Sequence, residues 1–163
     1  ALEIDSLYQS FENGSLHRNF MGYSSSKTQL MIGLGVSSIS DSWYSFAQNE
    51  KNIEDYYQLL EWNKLPVVKG HFLTNEDLII RKHILNLMCQ FETSWNNTSA
   101  YFEELPDVII HLQEMQDDGL LTVENKTIRI HEKGKPFIRN ICMAFDLRLK
   151  RKIPENQLFS MTI

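Results

Sequence analysis

Apolar residues recur at helical spacing in several stretches of the chain. Ile4, Leu7, Tyr8 and Phe11 fall on one face of a short helix predicted over residues 2–13, with Gly14 where such helices commonly end. A second helix is predicted over 52–62, closed by Pro66. The best-marked helix, 75–91, opens on a capping box in which Thr74 caps and Asp77 answers three residues on. Leu73 and Leu78 are placed as its hydrophobic staple, and Ile80, Ile84, Leu87, Met88 and Phe91 follow along one face. After a short helix near 98–104, Pro106 marks the first turn of a helix that runs to Asp117. Val108, Ile109, Leu112 and Met115 face in, and Gly119 ends it. A last helix is expected over 133–151, with Ile138, Ile141, Cys142, Phe145 and Leu149 on one side.

Alternation with a period of two is rarer. It places a hairpin at 120–123 and 127–130 around Glu124, Asn125 and Lys126, and a weaker short strand at 67–72. Residues 41–50 are polar, with aromatic interruptions at Trp43, Tyr44 and Phe46, and read as irregular. The apolar run 30–36, from Leu30 to Val36, reads as a strand covered on both faces. It is punctuated by Gly33 and Gly35, and a strand interior gains nothing from glycine unless backbone, ligand or a neighbouring chain comes close. A ligand is therefore expected near residues 33–39. The dinucleotide fingerprint fails, because Ser38 stands where the third glycine belongs. Ahead of the run lies a polar and aromatic stretch read as a loop: His17, Arg18, Asn19, Phe20, Gly22 and Tyr23. The sum is a mainly α fold with minor β, of the α+β class.

Composition narrows the function classes. With 163 residues, 42% of them hydrophobic, the chain can bury the core of one domain or of two small ones. No apolar run approaches the roughly 20 residues that span a bilayer, and the first residues are acidic, so a cytoplasmic protein without membrane contact is expected. Cys89 and Cys142 read as core thiols, and the five histidines are scattered, so no metal site is expected. No paired carboxylates, serine elbow or phosphate-binding glycine loop appears, and no catalytic residue is assigned.

Helix, helix, helix, hairpin, helix is the order of a winged helix, which raises a nucleic-acid-binding module as one reading. The helix that would enter the groove carries Asp107, Glu114, Asp117 and Asp118 and no Lys or Arg, so phosphates would repel it and no nucleic acid is expected. Net charge is −5, yet residues 133–152 hold seven cations against the single Asp146. The simplest account is a solvated helical face with cations toward its carboxyl end; the sharper one is attraction of an anionic partner.

Four stretches carry a resemblance: LHRNFMGY (16–23), IGLGVSSIS (32–40), IRNICMAFD (138–146) and the ending LFSMTI (158–163). Together they resemble the oxygen-independent coproporphyrinogen III oxidases, the radical SAM dehydrogenases of haem biosynthesis, and the likeness covers nearly the whole chain. The CxxxCxxC motif that holds the iron-sulfur cluster in that family is absent, so the resemblance implies a carboxyl-terminal fragment. Residues 1–72 would be the terminal segment of a radical SAM barrel and residues 73–163 a winged-helix-like helical cap over its mouth. The implied reaction is oxidative decarboxylation of coproporphyrinogen III to protoporphyrinogen IX. Its cofactors are S-adenosylmethionine and a [4Fe-4S] cluster, neither expected on the fragment, which alone would be inactive.

The positions that line a second S-adenosylmethionine site in that family match Phe20, Met21 and Ile39. Met21 departs from the glutamine expected there, and a thioether cannot replace an amide's hydrogen bonds. Arg18 and Arg139 are candidates for the substrate propionates, arginine being the natural partner of carboxylates. The partners implied are the missing barrel of the same chain and the porphyrinogen. Without the barrel, residues 30–36 would lose their neighbours, and self-association through them is expected. A haem-carrying chaperone on the same scaffold is the nearest alternative.

Overall fold

The computed structural model describes residues 3–147 and Arg151. Among them are five α-helices and eight strands in three small sheets, an α+β fold. The chain divides into two units, residues 1–85 and 86–163, and the division falls inside the helix expected to open the second domain.

In the first unit, helix α1 (Ser6–Glu12) starts where the Asp5 carboxylate accepts the Leu7 and Tyr8 amides, both at 2.9 Å. The stretch expected as a loop is a two-stranded sheet instead. Strands β1 (His17–Asn19) and β2 (Gly22–Ser24) pair antiparallel, with Phe20 and Met21 in the turn. The Asn19 side chain shapes that turn by accepting the Met21 amide at 2.8 Å.

Residues 41–50 are likewise more ordered than their composition predicts. Strands β3 (Ile39–Asp41) and β4 (Ser45–Asn49) form a hairpin, and β5 (Val67–Phe72) pairs with the other edge of β4. The turn passes through Trp43 at φ 67°, whose amide is accepted by the Asp41 carboxylate at 2.8 Å. Helix α2 (Ile53–Glu61), between β4 and β5 in sequence, begins at Asn52, whose side chain accepts the Asp55 amide at 3.0 Å.

The expected strand over 30–36 is not there. Only Met31 pairs, in an isolated bridge to Asp41, and Leu30, Ile32 and Leu34 are 61%, 67% and 87% exposed rather than covered. Its backbone groups are taken by side chains and turns: the Gly33 amide goes to Ser40 Oγ at 3.0 Å, and Gly35 turns the chain at φ 100°. Apolar composition alone does not distinguish a covered strand from an extended segment whose cover is absent.

Helix α3 (Asn75–Gln90) bears out its capping box: Thr74 Oγ1 accepts the Asp77 amide at 3.2 Å, and the Asp77 carboxylate accepts the Thr74 amide at 2.8 Å. Phe91, at φ 59°, ends it.

The second unit holds the packed core. Among the described residues, the buried Leu, Ile, Val, Phe, Met and Cys side chains all lie between Leu87 and Leu147. Helix α4 (Leu105–Asp117) buries Val108 and Leu112, as its spacing predicts, and Leu105 besides, while Ile109 and Met115, also expected on that face, are only half-buried. Strands β7 (Leu121–Glu124) and β8 (Thr127–Ile130) form the expected hairpin, with Asn125 and Lys126 at positive φ in its turn. A third strand that periodicity did not reveal, β6 (Glu92–Ser94), pairs with β8, giving the order β6-β8-β7. The short helix near 98–104 is a 3₁₀ turn, Thr98–Ala100.

The last predicted helix is broken. Glu132–Phe137 is 3₁₀, with Gly134 against the Leu120 carbonyl and Pro136 inside, and α5 (Ile138–Met143) follows. Pro136 lacks the amide a continuous helix needs. The part of that helix beyond residue 147, Arg151 apart, and the ending 158–163 lie outside the described residues.

Candidate functional site

The first unit gathers its polar and aromatic groups around one face of the β3–β4 hairpin. Ile39 and Asp41 are two apart on β3 and share a face. Phe46 stands opposite Asp41 in register and so lies on that face too. Phe20, from the β1–β2 turn, sets its ring edge-on to Phe46 at 5.1 Å between centroids and stays half exposed. Of the three residues expected to line a ligand, Phe20 thus touches this face through Phe46, and Ile39 lies on it, two residues from Asp41 along β3. Met21 projects its side chain outward and is 86% exposed.

A Cβ on Gly33 would come within 2.7 Å of the Ile39 carbonyl oxygen, so of the causes expected for a glycine here the close approach of backbone is the one that accounts for Gly33. At Gly35 an added Cβ meets nothing within 4 Å, and only the positive φ calls for glycine. The loop from Gly35 to Ser38 is tied to β4 by buried Asn49, whose amide donates to the Gly35 carbonyl at 2.9 Å and to Ser38 Oγ at 3.1 Å.

A charged pair lies at the centre of this face. Arg81, on α3, reaches Asp41 forty residues earlier with a two-pronged contact, 3.1 Å to Oδ1 and 2.5 Å to Oδ2. It also donates to the Trp43 carbonyl at 3.0 Å. Its guanidinium lies over the rings of Trp43 at 4.4 Å and Phe46 at 5.1 Å. Both charged side chains are nearly buried, 14% and 9% exposed. Neither residue carries a sequence signal. Only the fold brings them together.

His17 is buried in β1 rather than placed in a polar loop, and its ring lies 6.4 Å from that of Trp43. Burial is the main cause that pushes its pKa below the ordinary value; the cations Lys27 and Arg81 add to this and Asp41 opposes it. Lys27 also sits over the Trp43 ring at 5.1 Å. Of the two propionate candidates, Arg18 stacks over Tyr23 at 5.1 Å in the first unit. Arg139 is exposed on α5 in the second unit.

Among the described residues no group of three or more His, Cys, Asp or Glu is placed to hold a metal, and both cysteines are buried thiols. The donor set an iron-sulfur cluster needs does not fit these residues. No helix among them is long and apolar enough to cross a membrane.

No family model matches the chain. The oxygen-independent coproporphyrinogen III oxidase of Escherichia coli K12 is 37% identical to it over 167 residues, covering 98% of this chain and 36% of that protein. The chain is homologous to one segment of the oxygen-independent coproporphyrinogen III oxidases. The oxidase of that name from Synechocystis is 32% identical over 168 residues, with the same shares covered. A solved structure of the Escherichia coli coproporphyrinogen III oxidase, described as a radical SAM enzyme, matches with a TM-score of 0.82 and 34% identity, over 90% of this chain and 35% of that one. The chain therefore spans about a third of the length of these oxidases.

Proposed function

We propose that this chain forms the carboxyl-terminal part of a radical SAM enzyme that oxidatively decarboxylates two propionates of coproporphyrinogen III to vinyl groups, giving protoporphyrinogen IX. The observation that carries this reading is likeness along 98% of the chain to an oxidase of that name. On this reading residues 1–72 are the last segment of the barrel, and 73–163 are the winged-helix-like cap that closes its mouth and excludes water. The first unit suits such a role. None of its described Leu, Ile, Val, Phe or Met side chains is buried, and Leu30, Ile32 and Leu34 stand open for cover from the rest of a longer protein.

Phe20 and Ile39 would contact a second S-adenosylmethionine, the exposed ring offering its face to the adenine. Met21 would add packing and its backbone, not an amide hydrogen bond. When bound, S-adenosylmethionine and a [4Fe-4S] cluster supply the radical chemistry, with the cluster's ligands coming from outside this chain. Arg18, its guanidinium already oriented over Tyr23, and Arg139 would meet substrate propionates through charge-assisted hydrogen bonds. The acidic face of α4, with Asp107, Glu114 and Asp117, speaks against nucleic acid at the cap.

The test is anaerobic conversion of coproporphyrinogen III by the 163-residue chain beside the reconstituted longer protein that contains it. Protoporphyrinogen IX from the longer protein alone is the expected result. No product from it, together with a Soret shift on haem titration, would overturn the oxidase reading in favour of a haem carrier.

A further inference from the structure

The Asp41–Arg81 pair does more than neutralise two buried charges. A buried ion pair is often no more stabilising than a well-packed apolar pair, so its value is to be sought in geometry. Asp41 is where several segments meet. Its backbone bridges Met31, at 2.8 and 2.9 Å, at the entry to the 33–38 loop. Its carboxylate fixes the Trp43 turn, and its strand carries Ile39 two residues before. Arg81 presses on Phe46, the ring against which Phe20 rests. Phe20 and Ile39 are therefore each one step from the same guanidinium–carboxylate fork.

We infer that Asp41 and Arg81 are positioning residues that hold Phe20 and Ile39 in register for the second S-adenosylmethionine, an inference that rests on the function proposed above. The fork and the two ring contacts are specific to a guanidinium. A lysine would keep the charge and lose both the fork and the planar stacking. Binding constellations need their residues held to about 0.5 Å, which a point charge on a flexible stem does not provide.

The experiment is anaerobic equilibrium binding of radiolabelled S-adenosylmethionine to the longer, cluster-reconstituted protein. It compares the unsubstituted chain, Arg81→Lys, and the uncharged pair Asp41→Asn with Arg81→Gln. Glu92→Gln, which breaks the exposed pair to Arg129, serves as control. The expected result is two equivalents in the unsubstituted and control proteins. In both Arg81 proteins the first equivalent stays unchanged and the second weakens on the order of 10-fold. Unchanged binding of both equivalents in the Arg81 proteins would overturn the inference. So would equal weakening of the two, or loss of the fold in both proteins, since each assigns the pair a structural role only. One equivalent in the unsubstituted protein would instead overturn the second-site reading, an outcome visible before any substitution is made.

Discussion

Gly119 and Gly134 flank the β7–β8 hairpin and meet opposite surroundings. A methyl group on Gly134 would run into the Leu120 carbonyl oxygen, with the carbonyl carbon at 2.9 Å and Ile130 Cγ2 at 3.0 Å. At Gly119 it would meet open space, and only the positive φ resists it. Gly134→Ala is expected to cost about 3 kcal/mol or more, and Gly119→Ala about 1 kcal/mol, read from urea midpoints. Equal losses would show that the crowding at Gly134 relaxes without cost. For His17 the sign follows from its lowered pKa, caused first by burial and then by Lys27 and Arg81. The unfolded chain binds that proton more readily, so stability is level above about pH 6.5 and falls as the pH drops below it. His17→Gln should flatten the fall in melting temperature between about pH 7.5 and 5.5. An unchanged slope would place the acid sensitivity elsewhere. The contacts of Gly134, of His17 and of the Asp41–Arg81 pair were not legible in the sequence. Gly134 lay inside a predicted helix, His17 in a predicted loop, and Asp41 and Arg81 stand forty residues apart with no motif joining them.

Elements whose signals are local were legible, and those that depend on a neighbour were not. Asn52, the Thr74 and Asp77 box, Pro106 and Gly119 mark ends of α2, α3 and α4 because each satisfies or redirects backbone within a turn. Thr74→Ala is expected to destabilise by about 1 kcal/mol, with faster hydrogen exchange confined to the first turn of α3. Exchange unchanged there would mean that the Asp77 carboxylate suffices. Strands β3 and β4 went unread because their serines, glutamine and asparagine give no β signal, and their turn uses Trp43 at positive φ where a glycine would have announced it. The run 30–36 misled in the other direction. It carries the apolar composition of a covered strand, while this chain offers it only one bridge.

Across the whole molecule, apolar burial is uneven. The second unit buries Leu87, Leu105, Val108, Leu112, Leu121, Ile128, Ile141 and Phe145 completely, whereas the first exposes Leu30, Ile32 and Leu34 together with Tyr57 and Leu60 of α2. The isolated chain is expected to associate as its concentration rises, and Ile32→Lys with Leu34→Lys should return it toward monomer in sedimentation velocity. A monomer at every concentration would count against association through this segment. The same unevenness has an optical side. The chain holds three tryptophans. Trp43 lies under a guanidinium and Trp62 faces solvent, both in the first unit, while Trp95 is half buried in the second. With phenylalanine at the other two positions, each remaining indole emits from a known setting. Trp95 then reports the loss of the packed unit and Trp43 the loss of the Asp41–Arg81 fork, so the melting of the two units can be followed separately in one cuvette.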